Sequence, residues 1–335
     1  MRSLKMISIC LGLLLCVSCS PRQQVAKETA LGLPMKNEQS ESGFPSHDIS
    51  VIIAYKAGGG TDIGARVLCS VAEKYLDVNL VINNISGGDG ELGYAQLSNS
   101  KPDGYTIGFI NLPTFVSLPL DRETLYSIDS IEPIMNHVFD SAVLVVPYEN
   151  SCVTLEDFIE NARDNPFSVT IGNNGYGASN HIAAAHFCKE TNIQVTHVPF
   201  GGSSDMLKAL NEGYVQSVVA KISEVAQGTR DNKYRILASF TEERIPSFPQ
   251  VPTLKEKGIA FTFGSARALV APKGTPPSII ATLLEAFKAA MFDLENVEES
   301  NRLDLPLLYM GPEELSGYIV EQRRYISDTV PTLPL

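Results

Sequence analysis

Apolar residues along this chain recur with two alternating periods. Ile49, Val51, Ile52 and Ile53 form a short run, the pattern of a strand buried on both faces. Ile63, Val67, Leu68, Val71, Ala72 and Tyr75 then recur mostly in steps of three and four, which predicts one face of a helix. Residues 78–83 supply the next strand and close a βαβ unit, after which Leu92, Ala95 and Leu97 mark a second helix and residues 106–110 a third strand. A less regular stretch follows, then two strands at 131–135 and 142–146. The alternation restarts with a helix at 154–164, a strand at 169–172, a helix at 179–190, a strand at 195–199, a helix at 205–211 and a strand at 215–220. Strands at 235–240 and 266–271 and amphipathic helices at 277–291 and 312–328 complete the chain. Alternating strands and helices predict an α/β fold of parallel sheets covered on both faces, so that each unit is doubly wound. A length of 335 residues suits two such lobes, each burying its own core.

The N-terminus breaks this pattern. Arg2 and Lys5 precede the apolar run from Met6 to Val17, which is short for a membrane span and reads as a secretion signal. It ends in Cys16-Val17-Ser18-Cys19, which resembles a bacterial lipobox, so residues 1–19 are expected to be a lipoprotein signal peptide and Cys19 the lipidated residue. Residues 20–45 are polar and suit a flexible tether. The remaining chain divides into a first lobe, residues 46–147 plus 264–335, and a second lobe, residues 148–263. The protein is accordingly expected outside the cytoplasm, in the periplasm or at the cell surface, held to a membrane by its lipid.

Net charge narrows the chemistry. A formal charge of -12 argues against nucleic acid and against anionic surfaces as partners, so an anionic ligand must be captured by local features. Of six cysteines, Cys10, Cys16 and Cys19 belong to the signal, which leaves Cys69, Cys152 and Cys188 as buried, unpaired thiols. None lies in a zinc-type spacing, and neither a metal nor a cofactor is expected.

Four glycine- or serine-rich loops precede helices, at residues 57–62, 86–90, 175–179 and 201–205. In an open α/β sheet such loops lie at the carboxyl ends of strands, where ligands bind. Unsatisfied N–H groups and the helix dipole at each helix start form an anion site that needs no cationic side chain. The run Gly58-Gly59-Gly60-Thr61-Asp62 lacks the lysine and hydroxyl ending of a phosphate-binding loop, and Asp62 falls where a residue caps or complements a helix start. Ser179 and His181 are two apart on a helix, which points them away from one another. No catalytic constellation is evident, and a secreted hydrolase using Ser179 is the weaker reading.

Several runs together resemble one family. Residues 52–62 followed by Ala65-Arg66 are similar to the first ligand loop of the substrate-binding receptors of tripartite tricarboxylate transporters, the Bug-type proteins. In family order follow Pro102-Asp103-Gly104-Tyr105-Thr106, Gly177-Ala178-Ser179-Asn180-His181, Val198-Pro199-Phe200-Gly201-Gly202, residues 249–254, and Ala271-Pro272-Lys273-Gly274-Thr275-Pro276. The resemblance implies a type II periplasmic-binding-protein fold, two lobes joined by a hinge with the ligand cleft between them. It also implies a monomeric, non-enzymatic receptor that captures a di- or tricarboxylate and passes it to integral-membrane transporter subunits, or alternatively reports it to a signalling partner. By matching motif, Tyr55, Gly58, Gly59 and Asp62 would serve the ligand from the first lobe, and Ala178, Ser179, His181, Phe200 and Gly201 from the second. The last motif of the family commonly begins with an aromatic residue near the cleft, where this chain has Ser265-Ala266-Arg267, and Arg267 is either a bidentate carboxylate partner or half of a surface or inter-lobe ion pair. Capture by backbone amides predicts that a side chain at Gly59 blocks the ligand's approach.

Overall fold

The computed structural model describes residues 43–333. The expected signal peptide, Cys19 and all but the end of the expected tether lie outside the described residues. The folded body begins at Phe44, which is buried with its ring 5.1 Å from that of Tyr105. Among the described residues no helix is long and apolar enough to cross a membrane.

The first sheet forms from β1 (Ile49–Ile53), β2 (Leu80–Asn84) and β3 (Thr106–Leu112), joined by helices α1 (Gly60–Leu76) and α2 (Glu91–Ser98). These three strands run parallel, with β1 in the middle. Helix α3 (Thr114–Asp121) follows β3 and leads to the long strand β4 (Ile131–Pro147). The second sheet adds α4 (Leu155–Asp164), β5 (Thr170–Asn173), α5 (Ser179–Thr191), β6 (Thr196–Pro199), α6 (Ser203–Asn211), β7 (Ser217–Lys221), α7 (Ile222–Arg230) and β8 (Tyr234–Ser239). The chain returns to the first sheet through β9 (Gly264–Pro272) and ends in α8 (Pro277–Phe292), α9 (Leu294–Arg302), β10 (Leu307–Met310) and α10 (Pro312–Thr329).

Strand order is β2-β1-β3-β9-β4 in the first lobe and β4-β7-β5-β6 in the second, with β10 and β8 also pairing with β4. The sheets are mixed rather than wholly parallel. β9 runs antiparallel to both β3 and β4, and β4 antiparallel to β7 and β8. A single strand therefore belongs to both lobes. Residues 131–141 of β4 pair with β9, and residues 142–145 pair with β7. The chain crosses back just before β9, where Phe263 still bonds to Phe240 while Gly264 pairs with Ser141. These two crossings form the hinge, and the first falls inside β4 instead of at its end.

The pleat sorts side chains between cores. In β1, Ile49, Val51 and Ile53 pack with Leu68, Val71 and Ala72 of α1 and Leu283 and Phe287 of α8, while Ile52 faces the other side with Tyr94 and Leu97 of α2. In β4, Val143 and Val145 face α6 and α7, and Leu144 and Val146 the opposite layer. Helix α2 lies so close to the sheet that a Cβ on Gly93 would stand 2.5 Å from the Ala54 Cα, so only glycine fits there. Cys69, Cys152 and Cys188 are buried and unpaired, and burial pushes the Cys188 thiol up to about 12.

Three helices and one strand had no clear signal in the sequence. α3 contains Pro119 and starts beside Pro113, which obscures its short apolar face. α7 and α9 are polar, nine-residue helices, and β10 is four residues long. The two strands expected at 131–135 and 142–146 are one, because the polar residues between them, Asn136, His137 and Asp140, are buried within β4.

The interlobe cleft as candidate ligand site

The cleft is assembled from the carboxyl ends of strands and the first turns of three helices. Tyr55, Lys56, Gly59, Gly60, Thr61 and Asn111 line it from the first lobe and Asn174, Ser179, Gly202, Ser203, Ser204, Lys221 and Glu224 from the second, with Ser265 and Arg267 of β9 forming its floor. The first residues of α1, α5 and α6 thus border one cavity. The lobes touch around it. Lys56 Nζ is 2.6 Å from Asp205 Oδ2, the Ser117 hydroxyl donates to the Gly177 carbonyl at 2.7 Å, and the Ser179 N–H donates to Thr114 Oγ1 at 3.0 Å.

Each wall is braced from behind. The Tyr55 and Tyr94 hydroxyls are 3.0 Å apart, Tyr94 accepts from the Asn111 N–H, and the Asn111 amide donates to Thr61 Oγ1 at 2.8 Å. Burial raises the Tyr55 phenol to about 12, which keeps it a neutral donor. In the second lobe Asn173 and Asn174 accept from the Gly175 and Asn180 N–H groups, which shapes the turn into α5.

Asp62 lies behind its loop. It accepts from the Gly58 N–H at 2.9 Å, from Arg66 Nε at 3.0 Å and from Asn84 Nδ2 at 2.9 Å. Burial alone would raise its carboxyl, but the hydrogen bonds from Arg66, Gly58 and Asn84 hold it below the usual value. Its role is to fix the glycine loop, and the cleft does not include it. Gly58 serves the same turn, with a φ of 80° that favours glycine.

Of the other residues singled out in the sequence, Tyr55, Gly59, Ser179 and Arg267 border the cavity, whereas Ala178, His181, Phe200 and Gly201 stand outside it. His181 Nδ1 accepts from the Gly177 N–H at 3.0 Å, and its ring lies 5.0 Å from that of His197. Burial, reinforced by His197, depresses it to about 4, so it is neutral at physiological pH. No hydrogen bond joins Ser179 to a histidine among the described residues; its N–H donates to Thr114 Oγ1. Nor do the described residues contain a cluster of three or more metal-ligating side chains. Against the protein itself a side chain is obstructed at Gly60 and not at Gly59. A Cβ on Gly60 would stand 2.8 Å from Arg267 Cζ and nearer still to Nη2, whereas one on Gly59 meets only the Lys56 carbonyl at 3.5 Å.

The floor holds a charge cluster that sequence reasoning saw only in part. Arg267, 2% exposed, places Nη2 2.5 Å from Asp140 Oδ2, and Asp140 also accepts from the Ser223 hydroxyl. Glu224 Oε1 is 4.0 Å from Arg267, and Glu224 Oε2 accepts from the Lys221 N–H at 2.9 Å. Burial raises the Glu224 carboxyl against the pull of Arg267. Asn111, Asn174 and Lys221 were missed, although each sits at or just beyond the carboxyl end of a strand, the position from which ligands are held in α/β sheets.

A hinged pair of α/β lobes with a polar cleft at the helix starts defines a periplasmic-type binding protein. The chain matches the family described as tripartite tricarboxylate transporter family receptor over residues 64–329, and it belongs to that family. It is therefore a solute-binding receptor of a transport system and not an enzyme. A protein of Cupriavidus necator encoded in the gbd 5' region is 34% identical over 88% of this chain and 90% of its own. A solute-binding protein of the same family from Polaromonas, solved without ligand, superposes with a TM-score of 0.65 at 29% identity, covering 87% of this chain and 100% of its own. MatC of Rhodopseudomonas palustris, solved with bound malate, superposes with a TM-score of 0.80 at 24% identity over 86% of this chain and 100% of its own, and has the same fold.

Proposed function

We propose that this receptor captures a small di- or tricarboxylate in the interlobe cleft and presents it, lobes closed, to integral-membrane transporter subunits. The observation that carries the reading is the wall of the cleft. Three helix starts and the cations Lys56, Lys221 and Arg267 meet there against Glu224, in a chain whose net charge is -12. Anions are favoured at helix starts by free N–H groups and the dipole. Malate bound to MatC supports the same ligand class. A ligand held between the two lobes contacts both, so binding draws them together about the hinge.

A thermal-shift series with succinate, malate, citrate and neutral sugars tests the reading. At a hundredfold excess over its dissociation constant the correct ligand adds about 2.7 kcal/mol to the folded state, so a clear rise in Tm is expected with a carboxylate and none with sugars. A rise with a sugar alone would refute it.

We further propose that Cys19 carries a lipid that holds the receptor to the outer face of a membrane, with the residues up to Phe44 as its tether. Supporting this are the basic and apolar run before Cys19 and the polar composition after it. Cys19→Ser is expected to move the protein from the membrane pellet to the soluble fraction and to abolish incorporation of labelled fatty acid. Unchanged labelling would refute the anchor.

A further inference from the structure

Lys221 closes β7 at the floor of the cleft, where its side chain is 2% exposed. Its Nζ is fully buried and has no hydrogen-bond partner, and it lies over the Phe263 ring, 5.5 Å from the centroid, in a cation–π contact that leaves its charge without a counter-ion. Neither neighbouring carboxylate takes up this ammonium. Asp140 of β4 is engaged by Arg267 and the Ser223 hydroxyl, and Glu224 of α7 accepts from the Lys221 backbone instead. Arg267 of β9 lines the same cavity with an unpartnered Nε, and Lys56 on the opposing lobe is already paired with Asp205. A buried ammonium without an ion-pair partner is costly and persists where something supplies the missing charge. The helix starts that receive one anionic group lie on the other walls of the same cavity.

Building on the carboxylate reading, we propose that Lys221 Nζ pairs with a second carboxylate of the ligand and so selects dianionic over monoanionic acids. A ligand bearing one carboxylate fills the helix-start site and leaves Lys221 unpaired. One bearing two satisfies both.

Burial lowers the free ammonium to about 8, with Glu224 and Asp140 opposing that shift and Arg267 adding to it. A bound carboxylate raises it again. The sign follows: the affinity for a dianion is full while Lys221 is protonated and declines as pH rises past about 8.

The test is titration calorimetry with succinate, malate and adipate against butyrate, on the unsubstituted protein and on Lys221→Met. A charge-assisted contact of this kind is worth about 30-fold in affinity. Lys221→Met is expected to lose that factor for the best dicarboxylate and to weaken butyrate by less, so that the preference for two carboxylates over one narrows. In the unsubstituted protein the dicarboxylate affinity is expected to fall by up to about tenfold per pH unit above the lysine pKa, while butyrate falls by less. The pH profile decides alone if Lys221→Met does not fold. Unchanged dicarboxylate affinity in a folded Lys221→Met, or a flat profile, overturns the proposal. Equal binding of mono- and dicarboxylates by the unsubstituted protein overturns this assignment and leaves carboxylate capture standing, whereas binding of no carboxylate overturns both.

Discussion

Arg267→Ala is expected to cost about 3–5 kcal/mol of stability, the penalty for leaving a buried charge without its partner. Asp140 is fully buried, and without the guanidinium it retains only the Ser223 hydroxyl and N–H. Most of the volume of the largest fully buried side chain among the described residues is lost as well. Urea denaturation measures the loss, and a drop below about 1 kcal/mol would place the ion pair among contacts that water readily replaces. Arg267→Met with Asp140→Asn provides the contrast. Removing both charges while keeping most of the volume is expected to recover much of the stability, because desolvation of the pair offsets most of its attraction. Ligand affinity should remain low in the double variant, since the Arg267 guanidinium is gone from the floor of the cleft and only Lys221 remains there.

Gly60→Val carries the second large effect. Gly60 opens α1 with a φ outside the left-handed region, so its backbone accepts any residue, and the obstruction is Arg267. An arginine tip on a surface would swing aside at little cost, but this one is buried and held by Asp140. A valine must therefore break the ion pair or displace the loop. Overpacking of this kind costs about 1–3 kcal/mol, and the helix start that borders the cleft moves with it. Binding of the carboxylate found in the thermal-shift series is expected to weaken by at least about tenfold, or about 1.4 kcal/mol. Gly59→Ala, whose new Cβ meets only the Lys56 carbonyl, should stay within about threefold. Equal losses at the two glycines would refute the assignment of Gly60 as the closed position. Lys56→Ala should change stability by at most about 1 kcal/mol, because its pair with Asp205 is about half exposed.

The glycine loops are legible in the sequence because their purpose is local. Loop 57–62 must turn a strand into a helix within a few residues, and Gly58 with Asp62 does this through contacts four residues apart. Lys221 was not legible in the same way. Its position after a run of valine and alanine reads equally well as a strand ending at the surface, and only the pairing of β7 with β4, with Phe263 at its ammonium and α7 following, makes it a buried cation. Asp140 and Arg267 are 127 positions apart in the chain and meet through the antiparallel register of β4 and β9. Periodicity carries no information about that register. For the same reason the continuous β4 was read as two strands: its polar middle is buried by partners that arrive from the far end of the chain.

Hydrophobic periodicity and short motifs by themselves determined that this protein is an α/β chain of two lobes with helix starts gathered at strand ends, and which receptor family it belongs to. These features depend on neighbours within one turn or one βαβ unit. The tertiary structure alone decided which glycine is closed to substitution, that Asp62 braces its loop instead of facing the cleft, and that Arg267 already has a partner while Lys221 does not. Those outcomes depend on which long-range surfaces exclude water from a charge, and burial of that kind is a property of the assembled cleft, not of any segment that lines it.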